Sequence, residues 1–496
     1  MRKSCWAALA ALLALAVRPS AAQGSPAELA PPAMPVAPAG PVALVGPVTL
    51  AGPVALAEPV TVPEPAAGPA AAEPPPALLP EWVPRLLAAQ FTYIGQRLLG
   101  FHAAYSGAQS LKSTGDQQAT DTYGLYFGAR LARRLQAYLD LEMARGRGIG
   151  RVLGLGGPTN GDVIRQGTAN LGMGPYVARA YLRYLLPLGG ETEPAPRGMD
   201  RFPGQEPAAR LEIKAGKLAL TDDFDQNRYA NATRGQFMNW SLFNDTAWDY
   251  AADTRGYTFG VVAAWVHPAW TLRAATAQMP TQANGNVFDK HFDRARGDDL
   301  ELQLGPGRRG TVARLLAYQN HGRMGLYRRA IDRGRAAGVP PDVAADDQEG
   351  RRKVGFGLNV EQPLADDGET GLFLRLGWND GRTEDFVFTE VDRVVSGGIQ
   401  VAGTSWHRPD DRAGLGATAH GLSRDHRDYL AAGGLGFLLG DGALRYGWEE
   451  ILELYYRFQL GKRWQLSPDV QVIRNPGYNR DRGPATVLGL RVNWHW

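Results

Sequence analysis

The residues able to do chemistry in this sequence recur on the polar side of alternating runs. Arg130, Glu142, Arg179, Arg183 and Lys217 each stand one position away from apolar neighbours, so a strand would gather them on one wet face. Cations and carboxylates mixed on such a face can exchange water for the hydroxyls of a polar, uncharged ligand, and the planar fork of Arg bonds two neighbouring hydroxyls without moving. A second concentration lies between Leu220 and Arg255, where Phe224, Tyr229, Phe237, Trp240, Phe243, Trp248 and Tyr250 crowd together with Asp225 and Asn227. Flat aromatic faces next to amides and carboxylates suit a ring that is apolar on its faces and polar at its edge.

Catalytic and metal patterns fail on inspection. The eight histidines are scattered, with no His-x-x-x-His and no Gly-x-Ser-x-Gly. Asp223, Asp225 and Asn227 have the spacing that opens a calcium loop, but Arg228 stands where Gly is required and Arg234 where a bidentate Glu should be. The run from Gly154 to Gly161 resembles a phosphate cradle, yet no Lys-Ser/Thr follows it. No enzyme site, metal site or cofactor is expected.

The elements that must hold these residues follow from composition and period. In 496 residues there are 61 Gly and 35 Pro, which disfavours helical bundles. The 53 basic and 50 acidic residues are interleaved, giving a net charge of +3, which argues against a nucleic-acid surface. Beyond the N-terminus no apolar run reaches the roughly 18 residues a membrane helix needs. The dominant period is two: Leu488, Leu490, Val492, Trp494 and Trp496 alternate with Gly489, Arg491, Asn493 and His495. Leu135 to Met143, Val354 to Val360 and Leu452 to Leu460 repeat the pattern.

Soluble sandwiches also alternate, so the connections decide. Sixteen strands are predicted near 90–97, 123–131, 135–143, 176–186, 211–218, 257–265, 269–277, 297–304, 311–320, 354–362, 371–378, 388–402, 413–421, 449–460, 464–474 and 486–496. Short turns at 132–134, 266–268, 305–310, 363–370 and 461–463 alternate with long loops, as in a barrel whose two termini face the same side of a membrane. At about 26 residues per strand and connection, residues 81–496 suit one wide, all-β, antiparallel transmembrane barrel with an aqueous lumen. The Pro-rich stretch from Pro187 to Arg210 breaks the rule: it is either an insertion or a slip in the strand count. Trp464, Trp494, Tyr456 and Tyr257 are candidates for interfacial girdles.

Two N-terminal segments stand apart. Residues 1–22 read as a secretory signal, with Arg2 and Lys3 ahead of an apolar run and Ser20-Ala21-Ala22 as the cleavage site. The single cysteine, Cys5, lies within it. Residues 23–80 hold 16 of the prolines, no Lys or Arg, and a six-residue Ala/Val-Gly-Pro-Val repeat, and read as a disordered, semi-rigid spacer.

Several longer motifs then point to a family. They are Gly216-Lys217 through Asp225-Gln-Asn227-Arg-Tyr229-Ala230, Asn239-Trp240-Ser241-Leu242, Asp249-Tyr250-Ala-Ala-Asp253 with Gly256-Tyr257-Thr258, His426-Arg427-Asp428-Tyr429 through Asp441-Gly442, and Arg474-Asn475-Pro476-Gly477-Tyr478 through Pro484. In these, from about Gln90 to Trp496, the chain resembles the OprB-type carbohydrate-selective porins of Gram-negative outer membranes.

The resemblance implies passive, saturable diffusion of neutral, glucose-like sugars across the outer membrane. Arg130, Glu142, Arg179, Arg183, Lys217, Asp225, Asn227, Trp240 and Trp248 then become candidates for a constriction, with the Leu220–Arg255 loop folded into the lumen. The plainer alternatives are solvated lumen residues pairing among themselves and a loop packed on its own aromatics at the rim. Expected partners are monosaccharides or small oligosaccharides and outer-membrane lipid, with a homo-trimer and a cell-wall contact through the spacer left open. A barrel-bound hydrolase and an outer-membrane tether are the competing functions.

Overall fold

The computed structural model describes residues 86–163, 169, 171–307 and 309–496. The signal and spacer expectations lie outside them. Among the described residues eighteen strands occur: β1 (Leu86–Leu98), β2 (Asp116–Ala132), β3 (Leu135–Gly146), β4 (Tyr176–Pro187), β5 (Thr192–Ala195), β6 (Gly204–Pro207), β7 (Arg210–Leu218), β8 (Thr258–His267), β9 (Trp270–Gln278), β10 (Arg296–Leu304), β11 (Val312–Met324), β12 (Gln348–Ala365), β13 (Thr370–Asn379), β14 (Arg393–Gly403), β15 (Arg408–Gly421), β16 (Glu449–Leu460), β17 (Trp464–Arg474) and β18 (Ala485–His495).

Sixteen of these strands form a closed antiparallel barrel, each paired with its neighbour in sequence apart from the join of β4 to β7 and the closure of β1 on β18. At the seam Gln90 pairs with His495 and Leu98 with Val487. Closure leaves no unpaired strand edge, which a membrane interior demands because it offers backbone groups no water.

Parity assigns the two faces. Leu125, Leu139, Leu182, Trp265, Phe356, Leu415 and Leu454 are exposed on the outside, while Thr122, Asp140, Arg183, Arg375, Glu453 and Arg491 are buried inside. An apolar band of this extent would be untenable in water and is the required face in lipid. Trp464 and Trp494 sit together on the outer face at the short-turn end, with ring centres 6.3 Å apart, as a girdle should. Tyr257 does not belong to a girdle: it is buried and turned inward.

All sixteen expected strands are present. Pro187 to Arg210 is an insertion and not a slip: β5 and β6 make a separate two-stranded hairpin between neighbouring barrel strands. The boundaries differ where alternation has no apolar partner to reveal it. β2 begins at Asp116, because Gln117, Gln118 and Asp121 carry the ladder beyond the apolar band. The strand expected from residue 388 begins at Arg393, because Phe388 takes a positive φ of 62° and stacks on Trp240 inside the barrel.

Candidate constriction of the lumen

The segment between β7 and β8 does not stand out in solvent. It turns into the barrel and crosses to the far walls, and the charges along it explain why. Asp225 meets Arg375 of β13, whose Nε donates to both carboxylate oxygens at 2.9 and 3.0 Å and whose Nη atoms reach Leu242 O, Asp225 O and Ala230 O. Asn227 donates to Asn359 of β12 at 2.8 Å. Glu453 of β16 accepts from the Asn239 N–H at 3.0 Å, and Arg491 of β18 donates to the carbonyls of Thr233 and Gln236.

Glycine makes the approach possible. A Cβ at Gly377 would fall 2.1 Å from Asp245 Oδ1, and one at Gly357 2.4 Å from Asp245 Oδ2. Lumen-facing glycines in β12 and β13 are thus the seat of the loop. Its aromatics build a dry core there: Phe224, Trp240, Phe243, Trp248 and Tyr250 pack with Phe386 and Phe388 and with Leu316 and Tyr318 of β11.

This filling leaves open the side of the barrel walled by β1 to β4 and β7. Two adjoining cavities lie there, of about 390 and 560 Å³. In the first, Arg234 of the loop reaches Asp162 at 2.9 Å and Glu142 of β3 at 3.3 Å, and also donates to Gln90 of β1. Burial works against the Arg234 charge, but Asp162 and Glu142 outweigh it and hold its pKa well above the usual range. Tyr176 and Tyr257 both donate to Glu142 Oε2. Burial, reinforced by Glu142, raises the Tyr257 hydroxyl well above its ordinary value, so it remains a donor. Arg179 pairs with Asp222 at 2.6 Å and Asp140 at 3.3 Å.

Toward the short-turn end, Arg183 is held by Glu206 of the insertion at 2.6 Å and by Glu212 of β7 at 2.7 Å. Arg130 lies over the Phe202 ring of the insertion, 4.9 Å from its centre.

The nine expected residues therefore divide. Glu142 and Arg179 line the open channel, and Arg130 and Arg183 lie below them against the insertion. Asp225 and Asn227 anchor the loop. Trp240 is buried against Phe388, yet its edge lines the larger cavity. Trp248 is 1% exposed and donates to Asp299, so it is core. The structure does not bring Lys217 to the group: in β7 it shares the outward parity of Leu211, Ile213 and Ala215, and its ammonium donates to Val177 O near Phe259 on the lipid side. Arg234, Asp222, Tyr126 and Asp200 were missed. They lie on loops or among apolar lumen neighbours, where no alternation marks them.

The carboxylates with calcium-like spacing are engaged by cations of the chain, Asp223 by Lys214 and Asp225 by Arg375. One group among the described residues has ligand geometry, Asp385, Asp392 and His426. The Lys353 ammonium already sits on Asp385 and on Asp249 and serves as the cation there.

A closed sixteen-stranded barrel with a lipid-facing outer band and a lumen narrowed by an infolded, ion-paired loop defines an outer-membrane diffusion porin. Residues 128–496 match the carbohydrate-selective porin, OprB family, and the chain belongs to that family. It is a sugar porin of the Gram-negative outer membrane, and its family and fold are those of channels. The high-pH structure of Pseudomonas putida OprB is similar over 83% of this chain and 94% of that one, at 15% identity and a TM-score of 0.62. The outer membrane channel DcaP of Acinetobacter baumannii matches over 83% and 96%, at 11% identity and a TM-score of 0.46. No curated protein matches the sequence.

Proposed function

We propose that the open side of the lumen admits neutral, glucose-like sugars one at a time, by passive and saturable diffusion. The observation that carries the reading is the pairing of charge along it. Arg234 is matched by Glu142 and Asp162, Arg179 by Asp140 and Asp222, and Arg183 by Glu206 and Glu212. Paired in this way, the cations and anions offer hydroxyls both donors and acceptors while leaving little net field to select ions. Tyr126, Tyr176 and Tyr257 stand among them with apolar ring area. Cavities of this size fall in the range of roughly 300–1,000 Å³ usual for small-molecule sites.

Glu142, Arg179 and the edge of Trp240 are the contacts assigned to sugar. Arg130 and Arg183 act one layer nearer the periplasm, and Asp225, Asn227 and Trp248 act through the loop. Current through single channels in a planar bilayer tests this: discrete steps that fall with glucose in a saturable manner are expected. A protein that gives no steps, or steps indifferent to every sugar, refutes it.

A further inference from the structure

The insertion between β4 and β7 has no counterpart in the alternating plan of short turns, and it does not project into the periplasm. It climbs the inside of the barrel. Arg201 and Glu206 pair with each other, and Glu206 is bound by Arg183. Phe202 packs among Leu86, Tyr138 and Tyr181, all on lumen faces of the wall. Arg210, at the start of β7, pairs with Glu193 on β5 and with Glu212. Arg197 donates to Leu87 O at 2.5 Å.

These contacts fix the direction of the hairpin. Its tip is the tight turn Gly198–Arg201, closed by the Gly198 N–H donating to Arg201 O at 3.1 Å. At that tip the Asp200 carboxyl meets that of Asp140, five residues above the start of β3 and in the layer where Arg179 binds Asp222. Met199 and Asp200 line the smaller cavity together with Arg234, Glu142 and Tyr126. Gly198, Asp200 and Arg201 line the larger one, opposite Trp240. The outer loop descends to the same two cavities. The channel is thus closed in by a segment from each side of the membrane.

We infer that residues 188–209 form the periplasmic half of the sugar site, and that Asp200 at the tip is a sugar-contacting, specificity-determining residue. This rests on the porin reading above. The chemistry fits a ligand rich in vicinal hydroxyls. Asp200 is only partly buried and lines both cavities, and one carboxyl oxygen of Asp200 and one of its neighbour Asp140 have no hydrogen-bond partner. Arg201, beside it, supplies donors in turn. A sugar leaving the Glu142–Arg234 layer would therefore be handed to the insertion before it reached the periplasm.

The test uses the full-length protein in planar bilayers. Removal of residues 190–207, joining Gly189 to Ala208, is expected to raise single-channel conductance about twofold, because the tip no longer narrows the pore. Asp200→Ala is expected to raise the half-blocking glucose concentration roughly tenfold, the scale of one hydrogen bond to a charged group. If the deletion does not assemble, Met199→Cys in a Cys5→Ser background serves instead. A thiosulfonate reagent should then block the current, and glucose should protect against it.

Unchanged conductance and unchanged sugar block in the deletion, or a Cys at 199 that no reagent reaches, overturns the inference. Failure of the porin reading is distinct from this: the unmodified protein would ignore sugars, while the conductance rise on deletion would still show the insertion in the pore.

Discussion

Arg375 offers the sharpest test of how the lumen is narrowed. It is 0% exposed and makes five hydrogen bonds, every one to the infolded loop: two to the Asp225 carboxylate and three to the carbonyls of Asp225, Ala230 and Leu242. Arg375→Ala would leave a buried carboxylate and three buried carbonyls without this partner. Breaking a buried ion pair from one side costs about 3–5 kcal/mol. At about 1.4 kcal/mol per decade, that weakens the seated loop relative to a released one by roughly two to three and a half orders of magnitude.

The barrel wall survives, because Arg375 is a lumen residue and its strand keeps both ladders. The loop between Asp225 and Ala230 lifts, while Arg491 and Glu453 still hold Thr233 to Asn239. Single-channel conductance should rise and fluctuate, and trypsin added to liposomes should cut at Arg228. Arg375→Lys restores one charge but not the fork, and should fall between. The double variant Arg375→Leu with Asp225→Leu removes both charges and should disturb the pore less than Arg375→Ala alone. Conductance and protease resistance of Arg375→Ala equal to the original would refute the argument.

Other substitutions follow the same geometry. Arg179→Ala should raise the half-blocking glucose concentration roughly tenfold, from the loss of a charged donor, with the barrel intact in heat-modifiable gel mobility. Lys217→Ala should leave sugar block unchanged in the same recordings, since the ammonium lies outside the channel. Trp248→Ala should cost about 3–5 kcal/mol by emptying a packed aromatic site, seen as a lower thermal midpoint, whereas Trp240→Ala should also weaken glucose block. Burial pushes Glu390 up to about 7 although Leu438 and Leu439 donate to it. A carboxyl raised in the folded state contributes stability that is complete below its unfolded value of 4.5 and is lost as pH climbs through about 7. Glu390→Gln should therefore flatten the fall in thermal midpoint between pH 5 and pH 7, removing a dependence of up to about 3 kcal/mol.

The barrel was legible because lipid and lumen enforce period two on every spanning strand, and each of the sixteen runs carried it. Where that pressure stops, the signal stops. Gln117 and Asp121 extend β2 with polar residues on both faces, and Phe388 looks like strand but serves a lumen core. The infolding of the Leu220–Arg255 loop could be expected from its aromatics. Which of them would be spent on packing could not: Trp240 and Trp248 have like neighbours in sequence, and only the glycine floor of β12 and β13 and the position of Asp299 separate their roles. Lys217 is polar, but it stands in the apolar register of its strand, with Leu211, Ile213 and Ala215, and so faces outward. The insertion was visible as a break in rhythm, but its inward course depends on Arg183 and Phe202, which are far apart from their partners in sequence.

The infolded segments also grip both edges of the seam where the barrel closes. Arg491 on β18 holds Thr233 and Gln236, while Gln90 on β1 takes a bond from Arg234 and Gln96 exchanges bonds with Thr159. Gln471 on β17 donates to the same Thr159 carbonyl. The first and last strands are thereby clasped from within as well as zipped along their ladder. It follows that the constriction and the closure support one another. A nascent sheet lacking β18 loses the Arg491 hold on Thr233 and Gln236, so a barrel left open at the seam would also seat its constricting loop less firmly.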